Sequence, residues 1–184
     1  MTVNNAVYIE TNIFPIAALL VILNNLRHDM SFSWRRHCLE VIMKLSIFIM
    51  IFNTVGWCLD GVDGYIVNII LWIVNTAYYV FMLYMSFLWF LYVYDKVTNE
   101  NGQMGASVIK KAIPIFICFA MLAAGVVRPL IFYIGDDNCY HRGPLYPISL
   151  IVASGYIFAA CLMSFIKMLK ALGHDERKQY GFLV

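Results

Sequence analysis

From Gly64 to Tyr94 the chain runs without a single charged side chain. A membrane-spanning helix needs roughly 20 apolar residues, since each adds about 1.5 Å across an apolar layer about 30 Å thick. This stretch exceeds that length, which predicts a helix over 65–94 that tilts or reaches past the bilayer at one end. Four other segments carry the same signal: 7–26, 39–59, 112–127 with a continuation to 134, and 146–169. All five runs are continuous rather than alternating, which excludes the strands of a membrane barrel. Composition agrees, with 62% hydrophobic and 13% charged residues. That is about half the charged share of a soluble domain, and one core of this size cannot hide so much apolar surface.

The fold class is therefore an all-α, polytopic transmembrane helix bundle: one domain with five spanning helices. After the polar run 173–179, Tyr180-Gly-Phe-Leu-Val184 reads as the start of a sixth helix, so the chain is expected to be truncated at its C-terminus. The N-terminus lacks the basic region of a cleavable signal, and the first helix is expected to serve as the targeting element.

Basic residues orient the bundle. Of the 13 Lys and Arg, all but Arg128 and Arg142 lie on one side: between the first two segments with Lys44 just inside the second, between the third and fourth, or at and after the end of the fifth. The positive-inside rule then places the N-terminus outside and the end of the fifth helix in the cytosol. The turn Asp60–Gly64 and the polar island Asp136–Leu145 are outside on this reading.

Along the third segment Asn68, Trp72, Asn75, Tyr79, Met82 and Ser86 recur at steps of three and four, making one face of mixed polarity. In lipid such a face turns toward neighbouring helices, where amides and hydroxyls find partners. It serves either as packing glue or, near Asn68, Trp72 and Asn75, as a pocket opening outward. Ser149, Ala153, Tyr156, Ala160 and Ser164 on the fifth segment, and Ala120 and Ala124 on the fourth, are small-residue helix contacts. Glu40 and Lys44, one turn apart, predict a local ion pair. Arg128 is either exposed at the interface, paired with Glu10 or Asp60, or a contact for an anionic headgroup. In the polar island, Arg142 either pairs with Asp136 or Asp137 in a rigid turn, or joins Tyr140 and His141 in a sensing cap. Cys58 and Cys139 are read as free thiols, with a disulfide as the alternative.

No catalytic constellation is present. His141 and Asp136/Asp137 lack a nucleophile placed as a triad requires, and no phosphate-binding glycine loop or metal-ligand spacing occurs. No cofactor, metal or nucleic-acid partner is expected, and the chain itself is not expected to be an enzyme.

"WCLDG" (57–61), "NTAYYVFMLYMSFLWFLYVY" (75–94) and "LIFYIGDDNCYHRGPLY" (130–146) follow one another in an order that resembles the N-terminal multi-helix membrane sensor region ahead of GGDEF diguanylate cyclase domains. The order is also similar to the seven-helix N-terminal region of membrane histidine kinases. The resemblance implies a multi-pass protein of the bacterial cytoplasmic membrane, whose partners are the lipid bilayer, an extracytoplasmic signal and a cytoplasmic output domain acting as a homodimer. The function it implies is that of a signal-sensing input module. The rivals are a small secondary transporter, which would show inverted repeats or broken helices, and a passive membrane anchor. Candidate sensing residues are Asn68, Trp72, Asn75, Arg128, Tyr140, His141 and Arg142.

Overall fold

The computed structural model describes residues 3–27, 34–98, 107–125, 128 and 130–170. In chain order these form α1 (Val3–Arg27), α2 (Trp34–Leu59), α3 (Tyr65–Thr98), α4 (Ser107–Ala124), β1 (Phe132–Ile134), β2 (Tyr140–Arg142) and α5 (Tyr146–Lys170). Among the described residues, α1, α2, α3 and α5 are long and apolar enough to cross a membrane. The sixth helix expected from Tyr180 onward lies outside the described residues.

The fourth segment departs from expectation. Its helix begins earlier than predicted and ends at Ala124, instead of spanning 112–134. Gly125 terminates it by donating its N–H to both Met121 O and Leu122 O, at 3.0 and 3.1 Å. A Cβ at Gly125 would stand 2.9 Å from the Leu122 carbonyl, so this closed end suits glycine. Beyond it, apolar residues expected to extend the helix form β1, which pairs antiparallel with β2. Among the described residues the bundle is thus helical apart from one short hairpin and its connections, and α4 is shorter than the four helices that meet the spanning criterion.

Helix α3 is the axis. It packs chiefly against α2 and α5, with α1 lying against α2. At 34 residues it is about 51 Å long, well beyond the apolar thickness of a bilayer. Its buried positions crowd toward its C-terminal half, from Leu83 to Asp95. There Phe87, Phe90 and Val93 form a cluster with Ala112, Ile115 and Tyr156. A second cluster near the hairpin joins Tyr79, Leu83, Cys118, Leu122, Phe132 and Ala153.

Lipid offers no hydrophobic drive between helices, so close backbone approach and polar partnering must hold them. On α5, Ser149, Ala153, Tyr156, Ala160 and Ser164 are all buried, the small-residue face expected from their spacing. On α4 the expectation fails. Ala120 and Ala124 are exposed, and the buried face is Ala112, Ile115, Cys118 and Leu122. Larger side chains fill that contact because α4 lies peripheral to α3 and α5.

The end of the bundle opposite the hairpin carries the described lysines of α2 to α5 and is fixed by polar ties. Lys44 Nζ lies 2.7 Å from Glu40 Oε1, as predicted. Arg35 Nε lies 2.7 Å from Oδ2 of buried Asp95. Next along α3, Tyr94 receives Lys111 Nζ over its ring at 3.3 Å. Lys111 O in turn accepts the Tyr156 hydroxyl at 2.5 Å. Adjacent residues at the end of α3 therefore grip α2 on one side and α4 on the other.

Candidate ligand cleft at the hairpin end

The hairpin has a strict alternation. The pairs Phe132↔Arg142 and Ile134↔Tyr140 flank Tyr133↔His141. Successive strand side chains point to opposite faces, so Phe132, Ile134, Tyr140 and Arg142 turn to the bundle while Tyr133 and His141 turn away. Those outward rings stack on each other, with centroids 5.0 Å apart. His141 Nε2 stands 3.9 Å from Asp137 Oδ1, with both side chains well exposed.

The turn of the hairpin is also its fastening. Gly135 donates its N–H to Cys139 O at 2.9 Å, and Asn138 adopts φ 58°. Asparagine tolerates that left-handed conformation better than most residues. Although it sits at a turn tip, Asn138 is buried. Its Nδ2 donates to Val62 O at 2.8 Å and Gly64 O at 3.2 Å, while its Oδ1 accepts from Asn68 Nδ2 at 2.8 Å. Gly61 N–H donates to Asn138 O at 3.0 Å, and Tyr140 N–H donates to Asp60 Oδ1 at 2.7 Å. The α4–α5 connection is thereby locked onto the α2–α3 turn.

Below the turn lies an aromatic stack. Phe132 is flanked by Trp72, Tyr79 and Tyr140, at centroid distances of 4.9, 5.5 and 6.0 Å. Such pairs add roughly 0.5–1.5 kcal/mol each beyond area burial. The Tyr79 and Tyr140 hydroxyls share a hydrogen bond. Burial pushes the Tyr140 phenol above its ordinary pKa, so it stays neutral and can both donate and accept.

Between this stack and α2 is a cleft of about 180 Å³. Helix α2 contributes Phe52, Asn53, Gly56 and Trp57; α3 contributes Asn75, Tyr78 and Tyr79. Asp60, Tyr140, Arg142 and Tyr146 close it from the hairpin side. On the α2 wall, a Cβ at Gly56 would meet Val74 Cγ1 at 3.8 Å, an ordinary contact, so the position accepts a side chain. Asn75 Nδ2 donates to Leu71 O at 2.8 Å, leaving its carbonyl oxygen for the cleft.

The candidate residues separate accordingly. Asn75, Tyr140 and Arg142 line the cleft. Asn68 belongs to the Asn138 tie, and Trp72 packs on Phe132. Trp72 also borders a separate groove of about 700 Å³ with Ile69, Ile73 and Val80, whose lining is almost wholly apolar. His141 points away. Arg128 sits exposed in a bend, its N–H bonded to Ala124 O, and forms no pair with Glu10 or Asp60. Arg142 does not pair with Asp136 or Asp137 either; its Cζ lies 4.8 Å over the Tyr146 ring. The strand alternation explains this, since it turns Arg142 inward while the acidic residues stay at the exposed tip. Cys58 and Cys139 are both free thiols.

Sequence reasoning missed Asn53, Tyr78, Asp60 and Asn138. Asn53 and Asp60 stand outside the α3 periodicity, and no local pattern marks them as neighbours of Asn75. Asn138 did carry a signal, as an Asn in a turn cluster, but its long-range partners did not. No family model, curated protein or solved structure matches the chain.

Proposed function

We propose that this chain is the membrane-embedded, signal-sensing input module of a bacterial signal-transduction protein. The hairpin end faces outward from the cytoplasmic membrane, and an output domain of the parent protein, a diguanylate cyclase or histidine kinase, reads the bundle from the cytosolic side. The observation that carries this reading is the cleft itself. It is bounded by α2, α3, the hairpin and the start of α5, so a molecule seated in it touches four elements at once. A ligand shifts a helix-packing equilibrium only by its differential affinity for the two packings, and a site shared by four elements offers that difference.

Two further features support it. The described Lys and Arg within the helices α2, α3, α4 and α5 gather at the opposite end, with Arg128 and Arg142 outside those helices, and the positive-inside rule assigns that end to the cytosol. Helix α3 is continuous from Asn75 and Tyr79 at the cleft to Tyr94 and Asp95 at the ties with α2 and α4. A change in packing at one end is thus transmitted rigidly to the other.

The test is to fill the cleft in the parent protein. Gly56→Leu should leave membrane abundance and basal output intact while abolishing the response of the output domain to conditions that stimulate the unmodified protein. A response of normal size with the cleft filled would refute the sensing role and leave a passive anchor.

A further inference from the structure

Asp60 and Arg142 line the same cleft, and neither takes part in an ion pair. Both residues are exposed to solvent, and each also has a neighbour that fixes it. Asp60 Oδ1 is fixed by the Tyr140 N–H, which leaves its second oxygen without a protein partner. The Arg142 guanidinium carbon lies 4.8 Å over the Tyr146 ring. Ring stacking leaves the in-plane N–H fork of an arginine available to a carboxylate.

The cleft thus presents one cationic and one anionic group on a largely aromatic wall that also carries two amides. The Asn53 amide has no hydrogen-bond partner among the described residues, and the Asn75 Oδ1 is open. We propose that the cleft binds a small zwitterion of the amino-acid type, its carboxylate on Arg142 and its ammonium held by Asp60 and the surrounding ring faces. This rests on the reading of the cleft as a ligand site.

Charge decides among the ligand classes. A lone anion would gain Arg142 and be repelled by Asp60. A lone cation would meet the reverse. A neutral molecule would displace water from both charges without replacing its hydrogen bonds, which is costly. Only a ligand carrying both signs satisfies the two together. The ring faces of Tyr78, Tyr140 and Trp57 suit an ammonium, primary or quaternary, through their negative quadrupole. Size agrees with that class. A dry cavity of about 150 Å³ holds one benzene, so 180 Å³ accommodates the charged core of a single small amino acid or betaine.

The experiment uses the whole chain in lipid nanodiscs, with hydrogen exchange of 56–62 and 140–146 as the readout. Glycine betaine, L-alanine, L-leucine and L-phenylalanine are titrated, each beside its deaminated acid and its decarboxylated amine. At least one zwitterion should protect these segments saturably, with both of its singly charged analogues weaker by roughly tenfold or more. Arg142→Gln should bring the affinity for that zwitterion down to that for the amine. Asp60→Asn, which keeps an acceptor for the Tyr140 N–H, should bring it down to that for the acid. Because the analogue series is run on the unmodified chain, its outcome does not depend on whether variants fold. Equal binding of a zwitterion and one of its singly charged analogues would overturn the zwitterion assignment and leave the cleft as a site of another class. Absence of protection by every zwitterion up to millimolar concentration would overturn it as well. The sensing role is judged separately, by the Gly56→Leu response.

Discussion

Asn138 Oδ1 accepts a hydrogen bond from Asn68 Nδ2 at 2.8 Å, across 70 positions of sequence. One buried side chain thereby joins the tip of the hairpin to the first turn of α3, and the same amide holds two carbonyls of the α2–α3 turn. The hairpin, which roofs the cleft, is tied to α3 and to the α2–α3 turn at this point.

Replacing that side chain should therefore loosen the roof. Asn138→Gly keeps the left-handed backbone and removes only the amide, and should cost about 3 kcal/mol, from three hydrogen bonds worth about 1 kcal/mol each. Asn138→Ala adds strain at φ 58° and should cost about 1 kcal/mol more. Thermal unfolding in micelles, with exchange of residues 60–68 as the local readout, checks both. Equal stability of Asn138→Ala and the parent chain would mean that the hairpin is held elsewhere.

Gly143 should be equally intolerant. A Cβ there would run into the Leu130 carbonyl, while Gly143 N–H donates to Ile131 O at 2.8 Å and Leu145 N–H to Leu130 O at 2.8 Å. Backbone on both sides leaves nothing flexible to move. Gly143→Ala is expected to destabilise the hairpin by roughly 1–3 kcal/mol, as overpacking does, with lost protection at 130–134 by hydrogen exchange. Gly56→Ala, whose Cβ has room, is the matched control and should be neutral within about 0.5 kcal/mol.

The Tyr79–Tyr140 hydroxyl pair predicts non-additivity. Either Tyr79→Phe or Tyr140→Phe leaves one buried hydroxyl without its partner, at a cost of about 1–2 kcal/mol. The double variant removes both and should be little worse than either single change. Additive losses would show that each hydroxyl has an independent role.

At the opposite end, the two halves of the Arg35–Asp95 pair should not be equivalent. Arg35→Gln leaves a carboxylate whose side chain is 5% exposed, whereas Asp95→Asn leaves a guanidinium that is 34% exposed and reaches water. Losing the partner of a fully buried charge costs about 3–5 kcal/mol. The exposure of Arg35 reduces that, so Arg35→Gln is expected to cost about 2 kcal/mol and Asp95→Asn about 1 kcal/mol or less. Unfolding midpoints of the two variants would be compared. The reverse order would show that Asp95 is stabilised mainly by its other contacts.

The hairpin tip should respond to pH in two separable ways. The Cys139 N–H holds the Asp137 carboxyl below its ordinary range. Asp137 therefore contributes to the turn above that ordinary range, and the contribution is lost as pH falls through the lowered value, below about pH 4. The protection of amides 135–139, taken relative to their intrinsic exchange rate at each pH, should fall on acidification in the unmodified chain and not in Asp137→Asn. Burial, followed by the neighbouring Asp137 side chain, raises the Cys139 thiol. At a given pH less of it is thiolate, so maleimide labelling of Cys139 should be slower than that of a free thiol and should keep rising with pH after the free thiol has levelled off. Labelling by an impermeant reagent in intact cells would at the same time report the side on which the hairpin lies.

The amino-acid sequence by itself determined the architecture that depends on runs and periods. The charge-free stretch to Tyr94 dictated α3, the spacing of Ser149, Ala153, Tyr156, Ala160 and Ser164 dictated the buried face of α5, and Glu40 and Lys44 met because one helical turn separates them. Each is a local property, set by helix geometry and by the need to match an apolar surrounding. The end of α4 was not legible that way, since the apolar residues of 130–134 suit a helix and a strand alike. Pairing with β2 decided between them. The cleft was only partly legible: Asn75 announced itself by its place on a mixed face, but Asn53 and Asp60 did not. Their meeting with Arg142 is a matter of which helices are neighbours and which strand face turns inward. Contacts spanning 70 to 80 residues, such as Asn68 with Asn138 and Asp60 with Tyr140, leave no trace in a local pattern, because chain proximity and spatial proximity coincide only within an element.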